Sequence, residues 1–468
     1  MKIAALDNPV RASWLAEQGY RLDAGPYVSE AYAARMFLNR LPRTEPLRDV
    51  TESIFYGGRA RRQWTHDPDY GVPFLGSADI FEADLSHAPM ITRGSFDENT
   101  KLALKPGWTL VTRSGMTAGR VTYSRLSMDG SACSEHVIRA VPDRSRIPAG
   151  YLYTCLASRF GIPMIKGGIF GTSVRHIEVE HMANIPVPRF EMHVESKIDD
   201  LIFEAMELRQ RFEDGVCTAT RDLFESAGIP ELLDLRWHDQ PRDINFSITG
   251  IGSSSIRALN FAPRARHLLH LLSMVPHRTL GEICQNGRLR TGARFKRFDA
   301  SPDTGVRLIG QRQAFWLRPE GRWINPKQAP SDIMQDDETI LIAAHGTLGD
   351  GEVYSRSIFV TGSWLKHAFS QDFVRVLSGS PDVSGAYLFA FFRSEAAFRV
   401  LRSMSVGGKQ QEYHPALLRQ LPVPMCTPSD RERIAETVRA AYRDRDEADK
   451  KEDQAFKLLD DAVREAAR

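Results

Sequence analysis

The five cysteines, Cys133, Cys155, Cys217, Cys284 and Cys426, are spread along 468 residues with no Cys-x-x-Cys pair. That leaves neither a disulfide framework nor a zinc site to build on. Long apolar runs are missing too. No stretch reaches the ~18 apolar residues of a bilayer span, and the opening MKIAALDNPVRASWLAEQGYRLD has no unbroken apolar segment of the signal-peptide kind. A cytoplasmic protein, neither exported nor membrane-embedded, is expected. Nor is there an excess of charge of one sign: 61 Lys and Arg against 59 Asp and Glu leave +2. A polyanionic partner must therefore be met by local basic patches.

The short constellations of catalysis are absent as well. No G-x-x-x-x-G-K-[ST] loop exists, since Gly407-Gly408-Lys409 is followed by Gln410 and lacks the earlier Gly and the hydroxyl. Asp7-Asn8-Pro9-Val10 lacks the second Pro and the aromatic that would hold a flipped base for amino-methylation, and reads as a turn. Glu195-Ser196-Lys197 is a carboxylate–lysine pair without a suitable Pro-Asp nearby, and reads as a solvated helix face. His176 with His181, or His267 with His270, lack further ligands at metal-binding spacing. No catalytic and no metal-ligating residue is assigned, so the default shifts from catalysis toward binding.

What is present is ordinary globular material, 42% hydrophobic and 26% charged, and enough of it for about three domains at ~150 residues each. The chain also repeats itself. GYLYTCLASRF (150–160) resembles AYLFAFFRSEA (386–396), with Tyr151 and Tyr387 standing 236 positions apart. The same shift relates Ser134–Arg139 to Ser370–Arg375 and Pro186-Val187-Pro188 to Pro422-Val423-Pro424. Upstream, VPFLGSADIF (72–81) matches VRLIGQRQAF (306–315) at a shift of 234, the small drift that loop insertions cause. Runs of β-branched and aromatic residues (WTLVTRSG, GRVTYS and HVIRAV, then TILIAAHG, GEVYS and FVRVL) read as strands and hairpins, followed by a helix pattern in each half. Two homologous α+β domains result.

Each half leads into a long helix. Apolar or small residues fall at Ile198, Ile202, Ala205, Phe212, Val216, Ala219 and Leu223, with Arg209 in the remaining slot. The corresponding slots, 236 residues on, are Ile434, Val438, Ala441, Arg445, Ala448, Glu452, Ala455 and Leu459. This 4-3 spacing predicts that residues 192–226 and 429–465 pair as a coiled coil; the alternative is that each helix packs on its own domain. Ser429-Asp430-Arg431-Glu432 has the form of a capping box that would start the second helix. Arg209 and Arg445 can pair across the seam or snorkel to water, and snorkelling is the expectation. The division is then 1–190 and 259–427 as domains, 191–227 and 428–468 as helices, and 228–258 as a linker.

Basic character is concentrated in loops at related points of the repeat. GGRARRQW supplies Arg59, Arg61 and Arg62, and GRLRTGARFKRF supplies Arg288, Arg290, Arg294, Lys296 and Arg297. Arginine suits phosphate and bidentate guanine contacts, and neighbouring glycine lets a backbone approach closely; a solvated loop is the alternative. A second pair of Gly-containing loops carries Lys166, Thr172, Ser173 and Arg175 in one half and Lys409, Gln410 and Gln411 in the other. Glutamine can donate and accept at adenine. Arg113, in the WTLVTRSG run, and Arg312, in the VRLIGQRQAF run, complete the set of expected DNA contacts.

In this order and duplication, the loops of residues 171–173 and 407–411, each leading into Ile/Leu-Pro-Val-Pro and a heptad helix, resemble the DNA-specificity (S) subunit of type I restriction-modification systems. The helix starts, Glu191-Met192 and Ser429-Asp430, depart from the Glu-Gln often found there in that family. The resemblance implies two target-recognition domains joined by two long helices in an antiparallel coiled coil. It implies a non-catalytic chain that binds double-stranded DNA, two methyltransferase subunits and, for cleavage, motor-nuclease subunits. S-adenosylmethionine and ATP would sit on those partners, with no cofactor on this chain. A targeting subunit of another DNA-modifying defence system, a stand-alone DNA-binding protein and an enzyme of unrecognised chemistry are the rivals.

Overall fold

The computed structural model describes residues 10, 12–17, 20, 22, 27, 30–171, 175–248 and 255–468. The chain folds as two units, residues 1–210 with 447–468, and residues 211–446.

In the first unit an antiparallel sheet runs in the spatial order Thr51–Phe55, Val137–Pro142, Thr109–Thr112, Val121–Tyr123. Its two central strands are buried along their whole length, so they read as near-continuous apolar runs rather than as alternation. A second sheet orders Trp64–Thr65, Met90–Thr92, Gly71–Leu75 and Ala132–Cys133, the last pair parallel. Helix Ala149–Ala157 brings Tyr151, Leu152 and Leu156 into a core completed by Ile198 and Ile202 of one long helix and Ala455, Leu459 and Val463 of the other.

The second unit repeats the plan. Its antiparallel sheet is Arg288–Thr291, Phe373–Leu377, Thr339–Ala343, Ser357–Val360. Its second sheet is Gly321–Ile324, Val306–Ile309, Ala368–Phe369, again closing on a parallel pair. The aligned motifs are physically bonded in both units. Thr44–Pro46 pairs with Pro186–Pro188, and His277–Thr279 with Pro422–Pro424. Tyr151 donates its hydroxyl to the Pro188 carbonyl at 2.6 Å, and Tyr387 donates to that of Pro424 at 2.8 Å.

The long helices are Met192–Ser226 and Pro428–Ala466, each shared between the units. Within each unit they run antiparallel. In the first, Glu204 meets Lys451 and Arg209 meets Asp449; in the second, Phe212 stacks edge-on against Tyr442 and Asp222 meets Arg433. Every predicted heptad slot is buried, and each Leu, Ile or Phe so buried contributes ~1.5–3 kcal/mol. In the first unit, the seam residues Ile198, Ile202, Ala455 and Leu459 also complete the core of the domain.

Four local expectations are corrected. Arg209 and Arg445 do not snorkel. Arg209 donates to Asp449 and Glu452, while Arg445 donates to Asp446 and the Thr361 carbonyl beneath the Trp364 and Tyr442 rings. The second helix starts at Pro428, not Ser429, and its cap is Thr427, whose Oγ1 accepts from the Asp430 N–H at 3.3 Å. Glu195 is buried rather than solvated, because it takes both the Nε and Nη2 of Arg189 at 2.9 Å and the Phe190 N–H. Residues 351–355 form a turn, and the strand is Ser357–Val360. Arg402 captures the carbonyls of Glu352 and Tyr354, and Ser355 adopts a φ of 75°, so this stretch has no ladder to offer.

Candidate nucleic-acid interface

In both units the strand that flanks the central strand opens into the basic segment. After Thr51–Phe55 the chain turns through Gly58, whose φ of 70° suits glycine. Gly57 is held by the Asn99 amide, which donates to its carbonyl at 2.6 Å. Arg59 and Arg61 are exposed and, among the described residues, take part in no ion pair. Arg62 is different: it pairs with Glu135 and lies over the Phe74 ring, 4.7 Å from its centre.

In the second unit Arg288 pairs with Asp336 at 2.9 Å, and Arg290 lies 3.9 Å from Asp332. Arg294 and Arg312 are exposed. Lys296 sits over the Phe298 ring, and Arg297 donates to Gln371 Oε1 at 3.0 Å.

The Gly-containing loops are corresponding hairpin tips. Phe170 bridges His176 in one unit and Val406 pairs with Glu412 in the other, both partners shifted by 236. The first tip residue, Gly171 or Gly407, has a φ of 101° in both. Lys166 and Arg175 are exposed, while Thr172 and Ser173 lie outside the described residues. Lys409 and Gln410 are exposed.

Gln411 departs from its expected role. It is 3% exposed, its Oε1 accepts from Arg257 at 2.7 Å, and its Nε2 donates to the Gly408 carbonyl. That amide is spent holding the hairpin, which leaves Gln410 as the glutamine facing solvent. Arg113 is likewise engaged, donating to Glu178 at 3.1 Å and lying over the Tyr56 ring.

Between these loops lies a turn that the repeat contained but loop composition did not mark. Arg139, fully buried, donates to the carbonyls of Ser134, Val137, Leu102 and Cys133. Burial holds its pKa below the ordinary arginine value. Arg375 repeats this on the carbonyls of Asp332, Phe369 and Ser370, and burial lowers its pKa too. The clamped turns carry Glu135 and His136 in one unit and Gln371 and Asp372 in the other. His136 Nδ1 is 2.6 Å from Ser114 Oγ. The matching Ser-x-x-x-x-Arg spacing was the available signal.

Exposed arginines, the exposed amide of Gln410 and the exposed glycines Gly171, Gly407 and Gly408 can meet phosphates and base edges. Of the histidines, His181 Nε2 is 2.8 Å from the Met164 carbonyl, and His176 faces Glu178.

No protein-family model matches the chain, and no curated protein is similar to it. Among solved structures, the chain is similar to the S subunit of a type I restriction-modification system from M. genitalium, with 13% identity over 92% of this chain and 96% of that one and a TM-score of 0.34. It is similar to the HsdS subunit from Thermoanaerobacter tengcongensis at 12% identity, 92% and 97% coverage and a TM-score of 0.28. A third similar chain, from a structure concerning complex assembly and conformational transition of the type I R-M system, has 13% identity, 92% and 98% coverage and a TM-score of 0.26.

Proposed function

We propose that this chain is a sequence-specific DNA-binding subunit that reads a bipartite, asymmetric site in double-stranded DNA and directs partner methyltransferase subunits, as in a type I restriction-modification system. One observation carries the reading. A single scaffold is built twice, with the same order in its four-stranded antiparallel sheet, the same Tyr-to-Pro-x-Pro bond and the same buried arginine, yet its two hairpin tips and basic segments carry different donors and acceptors. Matching scaffolds with unlike loops suit two unlike half-sites, because the phosphate contacts position the protein and the base contacts specify the sequence.

In this reading residues 1–190 and 259–427 are the recognition domains, residues 191–227 and 428–468 the spacer helices, and 228–258 the linker. The chain carries no chemistry of its own. Methyl transfer from S-adenosylmethionine belongs to two methyltransferase subunits, and ATP-driven cleavage to motor-nuclease subunits, in the cytoplasm. The described residues contain no helix long and apolar enough to cross a membrane.

The test is selection from a randomised double-stranded DNA library by the purified chain, alone and with the products of its neighbouring genes. Enrichment of a split motif with an unread gap, and label transfer from S-adenosylmethionine only when a partner is present, is the expected result. Methyl transfer by the lone chain overturns the division of labour, and enrichment of no motif overturns the DNA reading. A motif read without any methyltransferase partner would favour the stand-alone protein.

A further inference from the structure

The basic segments supply several arginines each, but only one in each is tied to the clamped turn. In the first unit it is Arg62, gripped by Glu135 and stacked on Phe74. In the second it is Arg297, bonded to Gln371. Glu135 and Gln371 are the same position of the repeat, directly after Ser134 and Ser370, whose carbonyls the buried Arg139 and Arg375 hold.

The turn is braced from a second side. The carbonyl of the next residue accepts a backbone N–H from the strand-end loop, Arg113 to His136 at 2.7 Å and Ala344 to Asp372 at 2.9 Å. Position 135/371 is therefore a fixed point, flanked by the buried Ser134 and Ser370. Arg59, Arg61 and Arg294 are exposed and have no such anchor among the described residues.

The two kinds of arginine suit different tasks. Reading guanine demands that the guanidinium plane be held in one orientation, since both N–H groups must meet O6 and N7. Neutralising a phosphate asks only for charge nearby and tolerates a mobile side chain. Resting on the DNA reading above, we propose that Arg62 and Arg297 are the base-reading arginines of the two half-sites. Glu135 and Gln371 act as their positioning residues, while Arg59, Arg61 and Arg294 meet phosphates. The two positioning residues differ in one further respect: the carboxylate of Glu135 neutralises Arg62, whereas the amide of Gln371 leaves Arg297 its full charge. Arg297 should then contribute more to salt-dependent affinity than Arg62.

The experiment is the same randomised duplex selection, run on the full chain with its partner. Arg62→Lys and Arg297→Lys keep the charge and remove the planar fork. Each is expected to lower discrimination about tenfold to a hundredfold at one base pair of one half-site, a different half-site for each, with the salt dependence kept. Glu135→Ala should reproduce the Arg62→Lys pattern, and Glu135→Gln, which installs the second unit's own residue, should restore it. Arg59→Ala and Arg61→Ala should weaken all sequences alike and lower the salt slope by about one each. The proposal is overturned if Arg62→Lys weakens all sequences equally, if Arg59→Lys or Arg61→Lys relaxes the motif instead, or if Glu135→Ala leaves it intact. A wild-type complex that enriches no motif would overturn the underlying DNA reading, a result distinct from each of these.

Discussion

Arg209 and Glu452 are joined inside the antiparallel helix pair of the first unit, the guanidinium Nε and Nη2 lying 3.2 and 3.0 Å from one carboxylate oxygen. Tyr123, from the four-stranded antiparallel sheet, donates its hydroxyl to that same oxygen at 2.9 Å, and Asp449 takes a further N–H of Arg209. Burial by itself would lower the Arg209 pKa, but Glu452 and Asp449 outweigh it and hold the group well above the ordinary value. The sheet is thus bonded to a charged layer within the seam, where only one register brings all four groups together.

Breaking this layer should cost far more than deleting it. Arg209→Met takes the guanidinium away from the buried Glu452 and the half-buried Asp449, and ~3–5 kcal/mol of stability should be lost. Arg209→Met combined with Glu452→Leu should recover much of that. Urea denaturation of the full chain checks both. Equal losses in the single and double variants would mean that the layer acts through packing and not through charge.

Stability should fall at alkaline pH. Burial, the largest influence on each, raises the pKa of Tyr123, Tyr151 and Tyr413, and that of Cys133 to about 11 and Cys284 to about 12. A group whose folded-state pKa lies above its unfolded value contributes its full stability below the unfolded pKa and loses it as pH rises, because only the unfolded chain gains by ionising. Those unfolded values are about 8.5 for thiols and about 10 for tyrosine. The urea midpoint should therefore hold up to about pH 8 and decline above it, more steeply beyond about pH 10. A midpoint that rises through this range contradicts the assignment.

The duplicated tyrosines should not be equal. Tyr151→Phe removes the bond to the Pro188 carbonyl and should cost ~1 kcal/mol. Tyr387 also accepts the Cys426 N–H at 3.2 Å, so Tyr387→Phe strands a donor as well as an acceptor and should cost more. Thermal melting of the two variants side by side decides the order.

The adjacent glutamines should separate cleanly. Gln411→Ala leaves Arg257 and Ser405 without their common acceptor and should cost ~1–3 kcal/mol. Gln410→Ala should leave the melting temperature unchanged and relax one half-site in the library selection. If Gln410→Ala destabilises while Gln411→Ala only relaxes the motif, the hairpin presents the opposite side chain.

Periodicity and repetition by themselves determined the plan of this protein: two copies of one α+β scaffold, two heptad helices with every slot buried, and hairpin tips at corresponding positions. These are local or translational regularities, and a shift of 236 survives in the sequence because each copy must rebuild the same ladder and the same tyrosine bond. Partners distant along the chain were decided only by the tertiary structure. The carbonyls that satisfy Arg139 include that of Leu102, 37 residues earlier. The acceptor that buries Arg209 stands 243 residues later. Burial of Gln411 depends on Arg257, 154 residues away, so nothing beside it distinguishes it from the exposed Gln410. A polar side chain's neighbours in sequence do not say whether water or a distant carbonyl will satisfy it, and that choice separates Arg62 from Arg59 and Arg61.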